Sequence, residues 1–272
     1  MRRNTYAVLS LVLISSLSLA QGYEMRNMNS DSAFHWPEGK QMALSLTFDD
    51  ARISQVEKGI PLLDKYQITG TFYVSPGPML ERLEEWKKAV MNGHDIGNHT
   101  LRHPCSGNFP WAREKALEDY TLEQMADEID SASALINCAL GMWPSTFAYT
   151  CGQSNVGSGL STQSYVPVVA ARFATGRNWM NEGPNDPVYC DLAMLNGTEL
   201  DGKIFSDVMK LIQEAKDQGA WLIFAGHEID HSGIQITLLS TLDSICKFAS
   251  DPANGIWIDN VSNIGTYIME KR

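Results

Sequence analysis

Residues 44–50 read Leu-Ser-Leu-Thr-Phe-Asp-Asp, a β-type run that ends in two adjacent carboxylates, Asp49 and Asp50. About fifty residues on, the chain places His99 and His103 four apart in His-Thr-Leu-Arg-His. Side chains four apart share one side of a helical turn. With one carboxylate they complete a three-ligand set for a divalent metal and leave a coordination position open for water. The other carboxylate is then free to take a proton from that water. This is the outline of a metal-dependent hydrolase. Pro104 directly follows His103 and disfavours a continuing helix, so the pair belongs to one short turn after a strand over 95–98. Thr100 can stiffen that turn through a local hydrogen bond. Alone, the Asp pair also reads as the cap of a following helix, with Asp50 as N-cap.

A further histidine, His227, stands just beyond the apolar run 221–225. It opens His-Glu-Ile-Asp-His, a formal match to the H-E-x-x-H motif of zinc metalloproteases. That motif must lie in a continuous helix. Here it follows a β-type run through Gly226 and meets Gly233, so the match reads as coincidence; Asp243 would be the third ligand to check.

Strand-like and helix-like segments alternate along the chain. Residues 42–48, 69–74, 95–98, 145–150, 166–173, 221–225 and 256–259 read as strands, rich in β-branched and aromatic residues or continuously apolar. Residues 60–66, 82–91, 204–218, 236–248 and 261–271 read as helices. A long helix starts at a Thr121/Gln124 capping box and stops at Gly141. The alternation predicts a mostly parallel sheet flanked by helices, open or closed as a barrel. Residues 152–164 and 175–197 read as long loops, which build the binding face in such folds.

The formal net charge of −11 argues against nucleic acid or an anionic membrane as partner. Arg2 and Arg3, the apolar stretch 6–19 and small residues at 18–20 have the form of a secretory signal, too short to span a bilayer. The expected organisation is therefore a signal peptide over 1–20, a polar tail over 21–39 and a catalytic domain over 40–272. Without residues 1–20 the charge becomes −11 − 2 = −13, and the mature chain is expected to be secreted or periplasmic, without a stable membrane anchor. Of the five cysteines (105, 138, 151, 190 and 246) at least one is left unpaired within the chain.

The run Thr47-Phe48-Asp49-Asp50 followed by His99-Thr100-Leu101-Arg102-His103-Pro104 resembles the first two motifs of the polysaccharide deacetylase family, the NodB-homology domain. The likeness extends from about residue 42 to the C-terminus. It implies a distorted (β/α) barrel and a divalent metal, most often zinc. The implied reaction is hydrolysis of N-acetyl groups on chitin-like or peptidoglycan sugars, or of O-acetyl groups on xylan. By position, Asp49 would be the general base, Asp50, His99 and His103 the metal ligands, and His227 the general acid. The family's third motif, Arg-x-Pro-aromatic-Gly, aligns with residues 147–152 but places Ala148 at the arginine and Cys151 at the aromatic position. In the family that arginine pairs with the catalytic Asp; here Arg177, or failing that Arg172, is expected to supply the charge. Cys151 would offer the backbone N–H for the oxyanion, which does not depend on side-chain type. Tyr149, Cys151, Arg177 and Trp179 are the expected substrate contacts, and Trp111 and Tyr165 are further aromatics beside loops. Two competing readings are a sugar-binding homologue without catalysis, suggested by the missing arginine, and the metalloprotease.

Overall fold

The computed structural model describes residues 34–180 and 183–272; the expected signal segment 1–20 and the tail as far as 33 lie outside them. The chain runs β1 (Met42–Asp49), α1 (Ile60–Lys65), β2 (Thr71–Val74), α2 (Pro76–Leu80), α3 (Leu83–Met91) and β3 (Asp95–Asn98). It continues with α4 (Leu122–Leu140), β4 (Thr146–Ala148), β5 (Asn155–Val156), β6 (Gln163–Ser164), α5 (Val166–Ala170), β7 (Thr175–Arg177) and β8 (Thr198–Glu199). The last elements are α6 (Phe205–Asp217), β9 (Trp221–Gly226), β10 (Glu228–Asp230), β11 (Ile236–Leu238), α7 (Leu239–Ala249), β12 (Ile256–Ile258) and α8 (Val261–Lys271).

The main sheet is parallel, in the order β7-β4-β3-β2-β1-β9-β8. β12 joins it on β1, pairing Met42–Leu44, whereas β2 pairs the far end of the same edge at Thr47–Asp49. A parallel bridge between Arg177 and Leu195 links β7 to the segment leading into β8. The sheet therefore curls until its two ends meet, the distorted (β/α) barrel expected from the sequence.

All eight residues of β1 are buried, as a central strand covered on both faces requires. Its alternate residues divide the work. Met42, Leu44, Leu46 and Phe48 join the apolar core beneath the surrounding helices. The intervening Ser45, Thr47 and Asp49 belong to the other face, towards the barrel interior. There Thr47 Oγ1 donates to Phe224 O at 2.7 Å, and Trp221 Nε1 donates to Ser45 Oγ at 3.1 Å. In β3, Gly97 leaves room on this inner face for Tyr73 of β2: a Cβ there would meet Tyr73 Cδ1 at 2.3 Å. Arg177 then lies over the Tyr73 ring, 4.9 Å from its centroid.

The predicted capping box forms at Thr121 and Gln124, and Gly141 closes α4 at φ 74°. Four local expectations are corrected. Residues 166–173 hold the short helix α5 rather than a strand; Pro167 cannot donate to a ladder but suits a first helical turn. The expected loop 175–197 begins with β7, which places Arg177 on the sheet. The loop 152–164 carries the antiparallel pair β5–β6. The helix expected over 236–248 begins as β11. Residues 34–39 of the expected tail also belong to the folded unit. Trp36 is buried, donates from Nε1 to Gly219 O at 2.9 Å, and packs among Phe34, Trp257 and Tyr267. Six residues are too few for a periodic signal.

Candidate active site

Asp49 and Asp50 stand where β1 leaves the sheet, at the carboxyl ends of the parallel strands, where α/β folds gather their sites. Left-handed backbone at Asp50 and Ala51 (φ 76° and 54°) turns the chain sharply, so both carboxylates line one cleft. His99 and His103 follow β3, and the segment between them is bent rather than helical. Asn98 Oδ1 accepts from Thr100 N at 2.7 Å, and Thr100 Oγ1 accepts from His103 N at 3.0 Å, the stiffening expected of Thr100. Thr100 and His103 are themselves left-handed, which is what brings both rings to the same place without a helical turn.

Asp50 Oδ1 lies 3.5 Å from His99 Nε2 and 3.3 Å from His103 Nε2, and all three donor atoms fall within 4.8 Å of one another. Donors bound tetrahedrally at zinc-ligand distances stand ~3.3 Å apart, so the spacing fits a divalent ion. The tautomers fit as well. His99 Nδ1 lies 2.9 Å from Ala148 O, so it carries the proton and leaves the Nε2 lone pair towards Asp50. Burial would raise the pKa of Asp50, but the adjoining His103 and His99 rings outweigh it and hold the carboxyl below its ordinary range. Burial lowers that of His103, which favours the neutral, ligating form. Arg52 donates to the outer oxygen of Asp50, Oδ2, at 2.8 Å.

Asp49 accepts from Arg177 Nη2, and both side chains are almost wholly buried. Arg177 also donates from Nη1 to Asn178 O at 3.0 Å. The arginine absent from residue 148 is thus replaced, in space, from β7. Arg172 instead pairs at the surface with Asp130. His227, just past β9, holds Nδ1 2.7 Å from Asp201 Oδ2 and its ring edge-on to Trp179, 5.1 Å between centroids. Burial pulls the pKa of His227 down, but the Asp201 hydrogen bond and the charges of Asp49, Asp201 and Asp50 raise it overall.

Asp49, Asp50, His99, His103, Tyr149, Cys151, Trp179 and His227 line one cleft of about 1040 Å³, large enough for an extended ligand. Cys105 and Cys151 form a disulfide across its wall, two residues from His103; among the described residues Cys138, Cys190 and Cys246 are free. Cys151 lies in the turn Thr150–Gly152 at φ 53°. Of the described non-glycine residues with positive φ, only Glu38 and Gln67 are unconnected with this cleft; Asp50, Ala51, Thr100, His103, Cys151, Met180 and Gln235 line it or lie between His99 and His103. Such concentration of unfavourable backbone is typical of functional sites.

Two of the expected substrate contacts, Arg177 and Tyr149, and the further aromatic Tyr165 need revision. Arg177 is buried behind Asp49 and has no exposed surface with which to meet a ligand. Tyr149 is 1% exposed and donates its hydroxyl to Ala193 O at 2.7 Å, so only its edge reaches the cleft; Tyr165 is wholly in the core. Trp111 is 58% exposed on the rim, stacked on Phe109 at 5.7 Å and 5.9 Å from the His103 ring. The H-E-x-x-H reading fails: Glu228 begins β10, so His227 and His231 are not on one helix, and the third ligand to check, Asp243, is paired with Lys65. Sequence reasoning missed Asp201. Its only signal was the general rule that a working histidine has a carboxylate or carbonyl on its other nitrogen.

Comparison with known proteins agrees with this geometry. The polysaccharide deacetylase family model matches residues 37–165. Over 102 residues the chain is 30% identical to peptidoglycan-N-acetylmuramic acid deacetylase PdaA of Bacillus subtilis, covering 37% of this chain and 35% of that protein. Over 143 residues it is 27% identical to chitin deacetylase 1 of Cryptococcus neoformans, 52% of this chain and 28% of the other. The matches therefore span about a third of these relatives' lengths. The solved structure of a Pseudomonas aeruginosa PAO1 protein assigned to the polysaccharide deacetylases superposes with a TM-score of 0.65 at 12% identity, covering 89% of this chain and 96% of that one. Motifs, barrel and family match agree: residues 37–165 match the polysaccharide deacetylase family, and the barrel is the fold of its solved structures.

Proposed function

We propose that this protein is a metal-dependent deacetylase of an acetylated polysaccharide or oligosaccharide. The observation that carries the reading is the convergence of Asp50, His99 and His103 on one point of a cleft that also holds Asp49 and His227. A divalent ion, zinc by its one-carboxylate, two-imidazole donor set, would be held by Asp50, His99 and His103 and would supply Lewis-acid polarisation and a more acidic water. Asp49, held by Arg177, takes the proton from the attacking water. The Cys151 N–H stabilises the oxyanion as charge develops. His227, oriented by Asp201, gives its proton to the departing amine or alcohol. The exposed Trp111 and Phe109 at the rim would receive a sugar ring. The reading of a sugar-binding homologue without catalysis rested on a missing arginine, and Arg177 stands at Asp49 in its place.

We place the protein outside the cytoplasm, in a periplasm or beyond the cell. The Cys105–Cys151 disulfide supports an oxidising compartment, and no helix among the described residues is long and apolar enough to cross a membrane. The test is acetate release from acetylated chito-oligosaccharides, peptidoglycan fragments and acetylxylan, with and without chelator. His103→Ala should lose both metal and turnover; Asp49→Asn should lose turnover and keep metal. Ligand binding without acetate from any of these substrates would defeat the reading.

A further inference from the structure

Gln55 opens the π-helical turn Gln55–Gly59 that runs into α1, with its side chain fully buried. Its Nε2 donates to two backbone carbonyls from distant parts of the chain: Asp49 O at 2.6 Å and His227 O at 2.9 Å. The orientation is forced, because a flipped amide would set Oε1 against both carbonyl oxygens. Oε1 is left buried without a hydrogen-bond partner among the described residues. An unsatisfied buried acceptor costs stability and calls for an explanation.

The strand register supplies one. β1 and β9 pair in parallel as far as Phe48 and Gly226, and there the ladder ends. The next residues are Asp49 and His227, the base and acid of the proposed reaction. The Gln55 amide ties them where the next rung would be. The turn itself is anchored on the same junction, since Ser54 Oγ accepts from Ile229 N at 2.8 Å and donates to Glu228.

We propose that Gln55 is a positioning residue that sets the separation of Asp49 and His227 across the cleft. The proposal rests on the deacetylase reading above. Gln55 touches no reacting atom in this scheme and lies outside the metal ligand set. Its loss should therefore act on the chemical step and not on metal or substrate binding.

The test is Gln55→Met, which keeps bulk and removes both donors, beside Gln55→Glu, which turns donors into acceptors. Misplacement of a catalytic group by about 1 Å can cost up to ~100-fold in rate, so kcat should fall at least ~10-fold with KM and metal affinity within about twofold. Thr71→Val is the structural control, since Thr71 is buried elsewhere on β2 and its Oγ1 accepts from Val261 N at 2.9 Å. It should lower the unfolding temperature comparably without lowering kcat. If Gln55→Met keeps wild-type kcat, or if its loss is matched by Thr71→Val at equal destabilisation, Gln55 has no positioning role. A wild-type protein that releases no acetate from any substrate would instead sink the deacetylase reading itself.

Discussion

Arg177→Ala removes the cation from a pair in which the arginine side chain has no exposed surface and the Asp49 side chain has 4%. Stranding one partner of such a buried pair costs ~3–5 kcal/mol. The cost has two outlets. Either the carboxylate takes up a proton and ceases to be a base, or the barrel loosens around β7, where the guanidinium also holds Asn178 O and covers Tyr73. At ~1.4 kcal/mol per factor of ten, full expression in the chemical step would be ~100- to 1000-fold or more in kcat. The proposed metal ligands are untouched, so metal content should stay at the wild-type value. Acetate release, metal analysis of the purified protein and thermal unfolding together resolve the outlets. The double variant Asp49→Asn/Arg177→Met removes both charges, and it should recover unfolding temperature relative to Arg177→Ala while remaining inactive. Turnover of Arg177→Ala within tenfold of wild type, or loss of its metal, would refute the coupling between these two side chains.

Two other perturbations have defined outcomes. Asp201→Asn takes away the charge, and with it the charge-assisted hydrogen bond, that raise the pKa of His227. Because an acid must carry its proton, the alkaline limb of the rate profile should move to lower pH and kcat should fall ~10- to 100-fold; an unmoved limb would show that His227 is not the acid. Replacing Cys105 and Cys151 by serine opens a closed loop with a sequence separation of 46. Chain entropy puts the loss at ~4 kcal/mol, readable by denaturant titration, and metal affinity should weaken because the bridge is two residues from His103.

The pattern of residue types was legible where chemistry is local. The paired aspartates and the histidines were found from their spacing, and β1, β9 and α4 from apolar runs and a capping box. What escaped depends on contacts between distant segments. Arg177 could be nominated because its charge was missing elsewhere, but its strand was three residues long inside a stretch with loop composition. Asp201 follows the two-residue strand β8 and carries no motif. The turn at 99–103 was expected to have helical periodicity; positive φ at Thr100 and His103 achieves the same convergence, and residue type gives little warning of left-handed threonine or histidine. Trp36 reads as part of a polar tail until its partners at 219, 257 and 267 are known.

The left-handed residues around the cleft have a consequence for any search for hardier variants. Ala51 holds φ 54° with a side chain that does little beyond filling space, so Ala51→Gly would relieve strain at a modest cost in chain entropy. At His103 and Asp50 the same relief would delete a proposed metal ligand. Selection for thermal tolerance alone would favour glycine at such positions and erode the enzyme as it succeeded. A screen that demands acetate release after heating should keep His103 and Asp50 and admit change at Ala51.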